Sequence, residues 1–163
     1  MSPPAIPSAL LDRLHADIAH HGALGVESGM FLLARHASNR IDTLALAGTA
    51  GVTRHRDHFA LSGKALALLF RHARDYDLHV LAQVHSHREG AFLSPSDLRH
   101  GFAVEGFTTS VVPNYRRPTR DPASWGWWRY DGRRWASTAP YTSTGAAATA
   151  ETIVFDERGI RAR

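Results

Sequence analysis

The sequence predicts a mixed α/β (α+β) domain in which one mixed β-sheet is flanked by helices. Three observations carry this. Apolar runs of strand length alternate irregularly with segments of helical spacing, and no internal repeat is present. The 163 residues, 44% hydrophobic and 21% charged, suffice for one domain with a real core.

Residues 1–7 read as a flexible lead-in. Ser8 then caps a helix running from about Ala9 to His20, with Leu10, Leu11, Leu14 and Ile18 on one face and Gly22 and Gly25 breaking it. Glu27 to Ala34 reads as a buried strand, and Ile41 to Ala47 as a second, joined by a turn at Ser38-Asn39-Arg40. Gly48 to Phe59 is polar and His-rich and reads as a loop. Ser62 caps a helix to about Tyr76 whose apolar face is Leu66, Leu69, Phe70 and Ala73. A strand over 79–85 follows, then a helix from Ser94, then a buried strand from Thr108 to Val112 stopped by Pro113-Asn114.

After a Pro-containing loop, Trp125 to Tyr130 and Arg134 to Ala136 form a hairpin turned at Asp131-Gly132, with Trp125, Trp127 and Trp128 supplying mostly core. Residues 137–150, rich in Ser, Thr, Ala and Gly, read as a flexible linker, and 151–163 as a C-terminal strand and tail. The body of the domain is then 8–136.

Composition narrows the chemistry. The absence of cysteine excludes disulfides, thiolate ligands and a cysteine nucleophile, so a metal must be held by His and carboxylate. The most apolar stretch, Ala65 to Phe70, is too short to span a bilayer, and Met1-Ser2-Pro3-Pro4 lacks the pattern of a secretion signal. A cytoplasmic location without a membrane partner is expected. The formal charge of +4 is mostly arginine, clustered late in the chain. These arginines form no continuous stripe, which disfavours nucleic acid; an acidic or extended peptide partner is served by the same charge.

The most informative stretch is His85 to Asp97. On a strand, His85 and His87 point to one face, so their imidazoles converge. Ser94-Pro-Ser-Asp97 starts a helix and returns a carboxylate to the same point; helix capping alone also explains that tetrapeptide. Two His and one Asp match the ligand count of a catalytic zinc, which keeps a fourth position open for water. Such chemistry needs a proton carrier, and Glu27, at the start of an otherwise apolar strand, is the candidate. His55, His58 and His79 read as solvated histidines.

Glu27 with its apolar strand, His85-Ser-His87 and Ser94-x-x-Asp97, in that order, resembles the JAMM (MPN+) zinc metalloprotease family, in particular its small prokaryotic JAB-type members. Ser110 to Tyr115 is similar to a later strand of those members, and the resemblance spans about residues 8 to 136. It implies a cytidine-deaminase-like JAB/MPN fold, zinc held by His85, His87 and Asp97, Glu27 as general acid/base, and Ser94 as oxyanion donor. It further implies cleavage after the C-terminal glycine of a ubiquitin-like protein or its conjugates. Partners of E1 or E2 type, in a bacterial ubiquitin-like or antiviral conjugation system, would accompany that activity. A non-catalytic scaffold of the same fold, binding a protein partner, is the alternative. Two departures stand out: Arg88 to Leu93 is six residues where the family usually has seven, and Arg88 replaces the usual proline.

Overall fold

Alternation along one strand sets the architecture. The structure, a computed structural model, describes residues 2–145 and 149–163. Strand Gly29–Arg35 (β2) is buried except at its last residue. Met30 and Leu32 pack into one core, while Phe31 and Leu33 pack into another on the opposite face. A strand buried on both faces must lie between helices, and it does. Helix α1 (Ser8–Ala23) fills the first core through Leu10, Leu11, Leu14 and Ile18. Helix α2 (Gly63–Asp75) covers the second through Ala65, Leu69 and Ala73.

Around β2, an eight-stranded mixed sheet is built from Ile41–Ala47 (β3), Leu78–Ser86 (β6), Thr108–Val112 (β7), Gly126–Tyr130 (β8), Trp135–Ser137 (β9), Glu151–Asp156 (β11) and Gly159–Ala162 (β12). Its spatial order is β12-β11-β3-β2-β6-β7-β8-β9, with parallel pairs at β11/β3 and β6/β7. A short helix, Pro95–His100 (α3), lies between β6 and β7 in the chain.

The expected mixed sheet with flanking helices is therefore what the chain forms, and five local expectations are corrected. Ser8 is the first helical residue rather than the cap; Pro7 precedes the helix without a side-chain cap bond. Glu27 lies just before β2 rather than inside it. Gly48 to Phe59 is not a plain loop: Val52–His55 (β4) and His58–Leu61 (β5) pair as a hairpin. Its Arg and His residues mask the strand pattern because the hairpin lies over the sheet instead of inside it.

Residues 5–7 are no lead-in. They form a strand (β1, Ala5–Pro7) paired in parallel with Thr142–Thr144 (β10), within the stretch expected to be a linker. Buried side chains account for the difference: Ile6 is fully enclosed, and Tyr141 stacks on Trp127 with ring centroids 4.5 Å apart. Residues 146–148 of that expected linker lie outside the described residues. The C-terminal segment is an integral edge of the sheet, because Ile153 and Phe155 enter the α2 core. Trp125 and Trp127 are core, as expected, while Trp128 is half-buried. Among the described residues, no helix is long and apolar enough to cross a membrane.

Phe31 is the keystone of the α2 side, meeting Phe102 and Phe155 edge-on at 5.9 and 5.7 Å. We expect Phe31→Ala to cost about 3–5 kcal/mol, read from urea denaturation. A loss below about 1 kcal/mol would mean that this cluster closes over the gap and is not rigidly packed.

Candidate metal centre

Antiparallel pairing between β2 and β6 brings the site together. Gly29 pairs with His85, and the Ser86 amide donates to the Ser28 carbonyl at 2.9 Å. Continuing this register sets Glu27 opposite His87. His87 stays in the sheet after β6 ends, because its amide donates to the Val112 carbonyl at 2.9 Å. His85 and His87 therefore keep the two-residue strand spacing, and both rings are buried.

Asp97 arrives from the first turn of α3. A capping box holds that turn: Ser94 Oγ accepts from the Asp97 amide at 3.1 Å, and Asp97 Oδ2 accepts from the Ser94 amide at 2.9 Å. Three side chains then close a triangle. His85 Nε2 lies 3.2 Å from His87 Nε2 and 3.1 Å from Asp97 Oδ1, and His87 Nε2 lies 3.1 Å from Asp97 Oδ2.

The donor set fits a metal ion. His87 Nδ1 donates to the Gly90 carbonyl at 3.1 Å, which leaves Nε2 facing an Asp97 carboxylate oxygen at 3.1 Å. Between those two atoms lies either the proton of an Nε2–H hydrogen bond or, in its place, a metal ion. Ligand atoms about 2.0–2.1 Å from a tetrahedral ion lie about 3.3 Å apart, close to the edges of this triangle. The Gly90 contact also orients the ring from behind, as metal-binding histidines require. The six-residue loop Arg88 to Leu93 supplies the Gly90 carbonyl and is pinned where the Asn114 amide donates to the Glu89 carbonyl at 2.8 Å.

The two carboxyl groups of the site are driven apart. Burial by itself would raise the Asp97 pKa, but hydrogen bonds from His85 and His87 outweigh it, holding the group well below the usual carboxylate range. Glu27 has no such cation. Burial foremost, then the nearby charges of Asp97 and Asp57, push its carboxyl up to about 8. One carboxylate is thus kept ionised as a ligand while the other is poised to hold a proton near neutral pH.

Sequence reasoning missed the groups that place Glu27. Its amide donates to the His55 carbonyl at 2.8 Å, so the β4–β5 hairpin fixes it from one side. Ser28 Oγ donates to buried Asp17 at 2.6 Å, and Arg54 donates to the Gly48 and Ala47 carbonyls at 2.7 Å each. Tyr115, fully buried, lies with its hydroxyl 2.9 Å from the Gly25 carbonyl and 3.0 Å from that of Arg56, while its amide donates to the His87 carbonyl at 3.0 Å. Tyr115 therefore ties the metal strand to the Glu27 segment. Asn114 at φ 55°, just after Pro113, was the only local hint of that tight turn. His58 reaches Ser96 at 3.1 Å and His79 is exposed; neither joins the triangle.

No protein-family model and no curated protein matches this chain. Its fold is similar to the solution structure of protein DSY2949 from Desulfitobacterium hafniense. That superposition has a TM-score of 0.66 at 13% identity and covers 91% of this chain and 96% of that one. A crystal structure of AF2198, a JAB1/MPN domain protein from Archaeoglobus fulgidus, aligns with a TM-score of 0.49 at 16% identity, over 88% and 100% of the two chains. At such identities the likeness to DSY2949 is one of fold.

Two outcomes test this centre. The protein should bind one divalent ion, and His87→Ala should weaken binding at least about a hundredfold in a competitive chelator titration. In metal-free protein, Glu27→Gln should raise stability in a pH-dependent way. Wild-type Glu27 keeps its proton in the fold up to about pH 8, whereas the unfolded chain releases it near the usual value of 4.5. The penalty is thus absent below that lower value, grows as pH rises between the two, and is constant above the higher one. Unfolding free energies of the pair, from urea denaturation, should coincide near pH 4 and differ at pH 8 by on the order of 2 kcal/mol after solvent screening. A constant gap across that range would show that Glu27 is not proton-holding in the fold.

Proposed function

We propose that this protein is a zinc-dependent amide hydrolase of the JAMM (MPN+) type, acting after the C-terminal glycine of a ubiquitin-like protein. The carrying observation is the His85–His87–Asp97 triangle with a buried, proton-holding Glu27 placed beside it by the β2–β6 register. An all-nitrogen-and-oxygen set of two His and one Asp suits zinc with an open position. Bound there, zinc would supply a Lewis acid for the scissile carbonyl and lower the pKa of water toward about 7.

The chain's own groups divide the remaining work. Glu27, whose carboxyl a bound cation would bring down from its metal-free value of about 8, would take a proton from the attacking water and return it to the departing amine. Ser94 sits at the start of α3, one bond from Asp97, where its hydroxyl is available to donate to the developing oxyanion. The β4–β5 hairpin, bonded to the Glu27 amide through His55, and the loop Arg88 to Leu93, bonded to His87 through Gly90, would be the walls of a groove for an extended tail. Ubiquitin-like conjugates are the proposed substrates, with E1- or E2-like proteins as pathway partners in a bacterial conjugation or antiviral system.

The direct experiment incubates the protein with a ubiquitin-like domain fused through its terminal glycine to a reporter. Cleavage should stop with a chelator and return with added zinc. Glu27→Gln should lower kcat by roughly a thousandfold or more with zinc still bound, and Ser94→Ala by about a hundredfold, with Ser94→Thr retaining the cap and most activity. Zinc-bound protein that cleaves no such fusion would refute the substrate assignment. Cleavage that persists in Glu27→Gln would refute the mechanism.

A further inference from the structure

Beside the metal ligands lies a cavity of about 250 Å³ that no step above employs. His85 and Asp97 form one end, and Gln83 and Thr109, neighbours across β6 and β7, lie along the sheet. Its walls mix apolar side chains, Phe59 from the hairpin, Leu66 from α2, Phe102 and Trp135 from β9, with the polar Ser96 and His100 of α3. The hairpin wall is built in. A side chain at Gly29 would meet the Phe59 ring at 2.3 Å, so glycine opposite His85 is what lets Phe59 lie down at this place.

Leu93 and Trp135 line this cavity and also an open groove on its far side. Phe92 and Leu98 line the groove and are 54% and 53% exposed, an unusual placement for two large apolar side chains so close together. Trp128 and Tyr130 of β8 form the opposite wall. Arg133 and Arg134, both exposed on the β8–β9 turn, line it too, with Arg134 Nε 4.0 Å from the Asp131 carboxylate and both side chains open to solvent. Phe92 also packs edge-on against the His87 ring, with centroids 4.9 Å apart, so the groove is continuous with the metal centre.

We infer that the cavity and groove form one recognition track for the peptide on the amine side of the scissile bond, taking a bulky apolar residue first and acidic residues further on. This rests on the hydrolase reading. A glycine on the acyl side has no side chain to fill the cavity, which leaves it to the residue after the bond. The exposed aromatic walls offer apolar area without much ordering cost, and the two guanidinium groups lining the groove select carboxylates. The substrate that fits is a linear precursor with a C-terminal extension. A lysine stem in an isopeptide would have to leave the cavity at once for a folded body.

The test uses a ubiquitin-like domain extended past its terminal glycine by Leu-Ser-Ala-Glu-Glu, by Gly-Ser-Ala-Glu-Glu, or by Leu-Ser-Ala-Lys-Lys. With zinc-loaded protein, kcat/KM should be highest for the first, roughly three- to tenfold above each of the others. The Arg133→Glu/Arg134→Glu variant, altered only at exposed positions, should reverse the order of the Glu-Glu and Lys-Lys substrates. In parallel, the metal-free protein should bind the free Leu-Ser-Ala-Glu-Glu peptide, read from tryptophan fluorescence, and the charge-reversed variant should not. Hydrolysis at equal rates on all three extensions, or an order unchanged by charge reversal, overturns the track and leaves the hydrolase standing. Peptide binding without hydrolysis overturns the hydrolase and leaves the track as a docking surface. Neither binding nor hydrolysis overturns both.

Discussion

Everything in this site depends on the register between β2 and β6. Gly29 against His85 sets Ser28 beside Ser86 and Glu27 opposite His87, so the buried carboxyl and the two imidazoles are placed by one set of backbone hydrogen bonds. Because strand side chains alternate, a slip of one residue would send both imidazoles to the other face. The slip is prevented far from the chemistry. Met30 and Leu32 on one face, and Phe31 and Leu33 on the other, each fit only their own core. Packing energy in the middle of the sheet is thereby converted into positional precision at its end.

The second requirement is to keep two carboxyl groups in different states a short distance apart. Asp97 is surrounded by donors: two imidazoles and the Ser94 amide. Glu27 is surrounded by burial and by other carboxylates. Neither environment comes from the residue itself. Each is built by a secondary element fixed elsewhere: the capped first turn of α3 for Asp97, and the strap of hairpin, Tyr115 and the Asp17–Ser28 pair for Glu27. Tyr115 is central to this strap because it joins backbone from three separated segments, at Gly25, Arg56 and His87.

Much of this was legible in the residues. The paired histidines, the Ser94–Asp97 cap and the α2 cap at Ser62 are local signals, since each depends on bonds within a few residues. The long apolar strands were legible for the same reason. What escaped was non-local. The β1–β10 pair joins residues more than a hundred positions apart, and the Ser/Thr/Ala/Gly stretch around it looks like a linker because its anchor, Tyr141, is a single residue. The β4–β5 hairpin was hidden because its strands are only four residues each and interrupted by Arg and His, although Val52, Phe59 and Leu61 pack against the α2-side core while Arg54 reaches loop carbonyls.

The residues by themselves determined the mixed sheet, the order of the candidate His and Asp ligands along the chain, and the lack of any thiolate alternative. These follow from side-chain chemistry and from the two periods of strand and helix. Only the tertiary structure decided that the His85, His87 and Asp97 side chains close to 3.1–3.2 Å, and that a cavity and a groove sharing Leu93 and Trp135 lie beside them. The physical reason is that distance and burial are properties of neighbours brought together by folding. A carboxyl group at position 27 is an ordinary acid in the chain, and holds its proton near neutral pH only where the sheet, the hairpin and Asp97 enclose it.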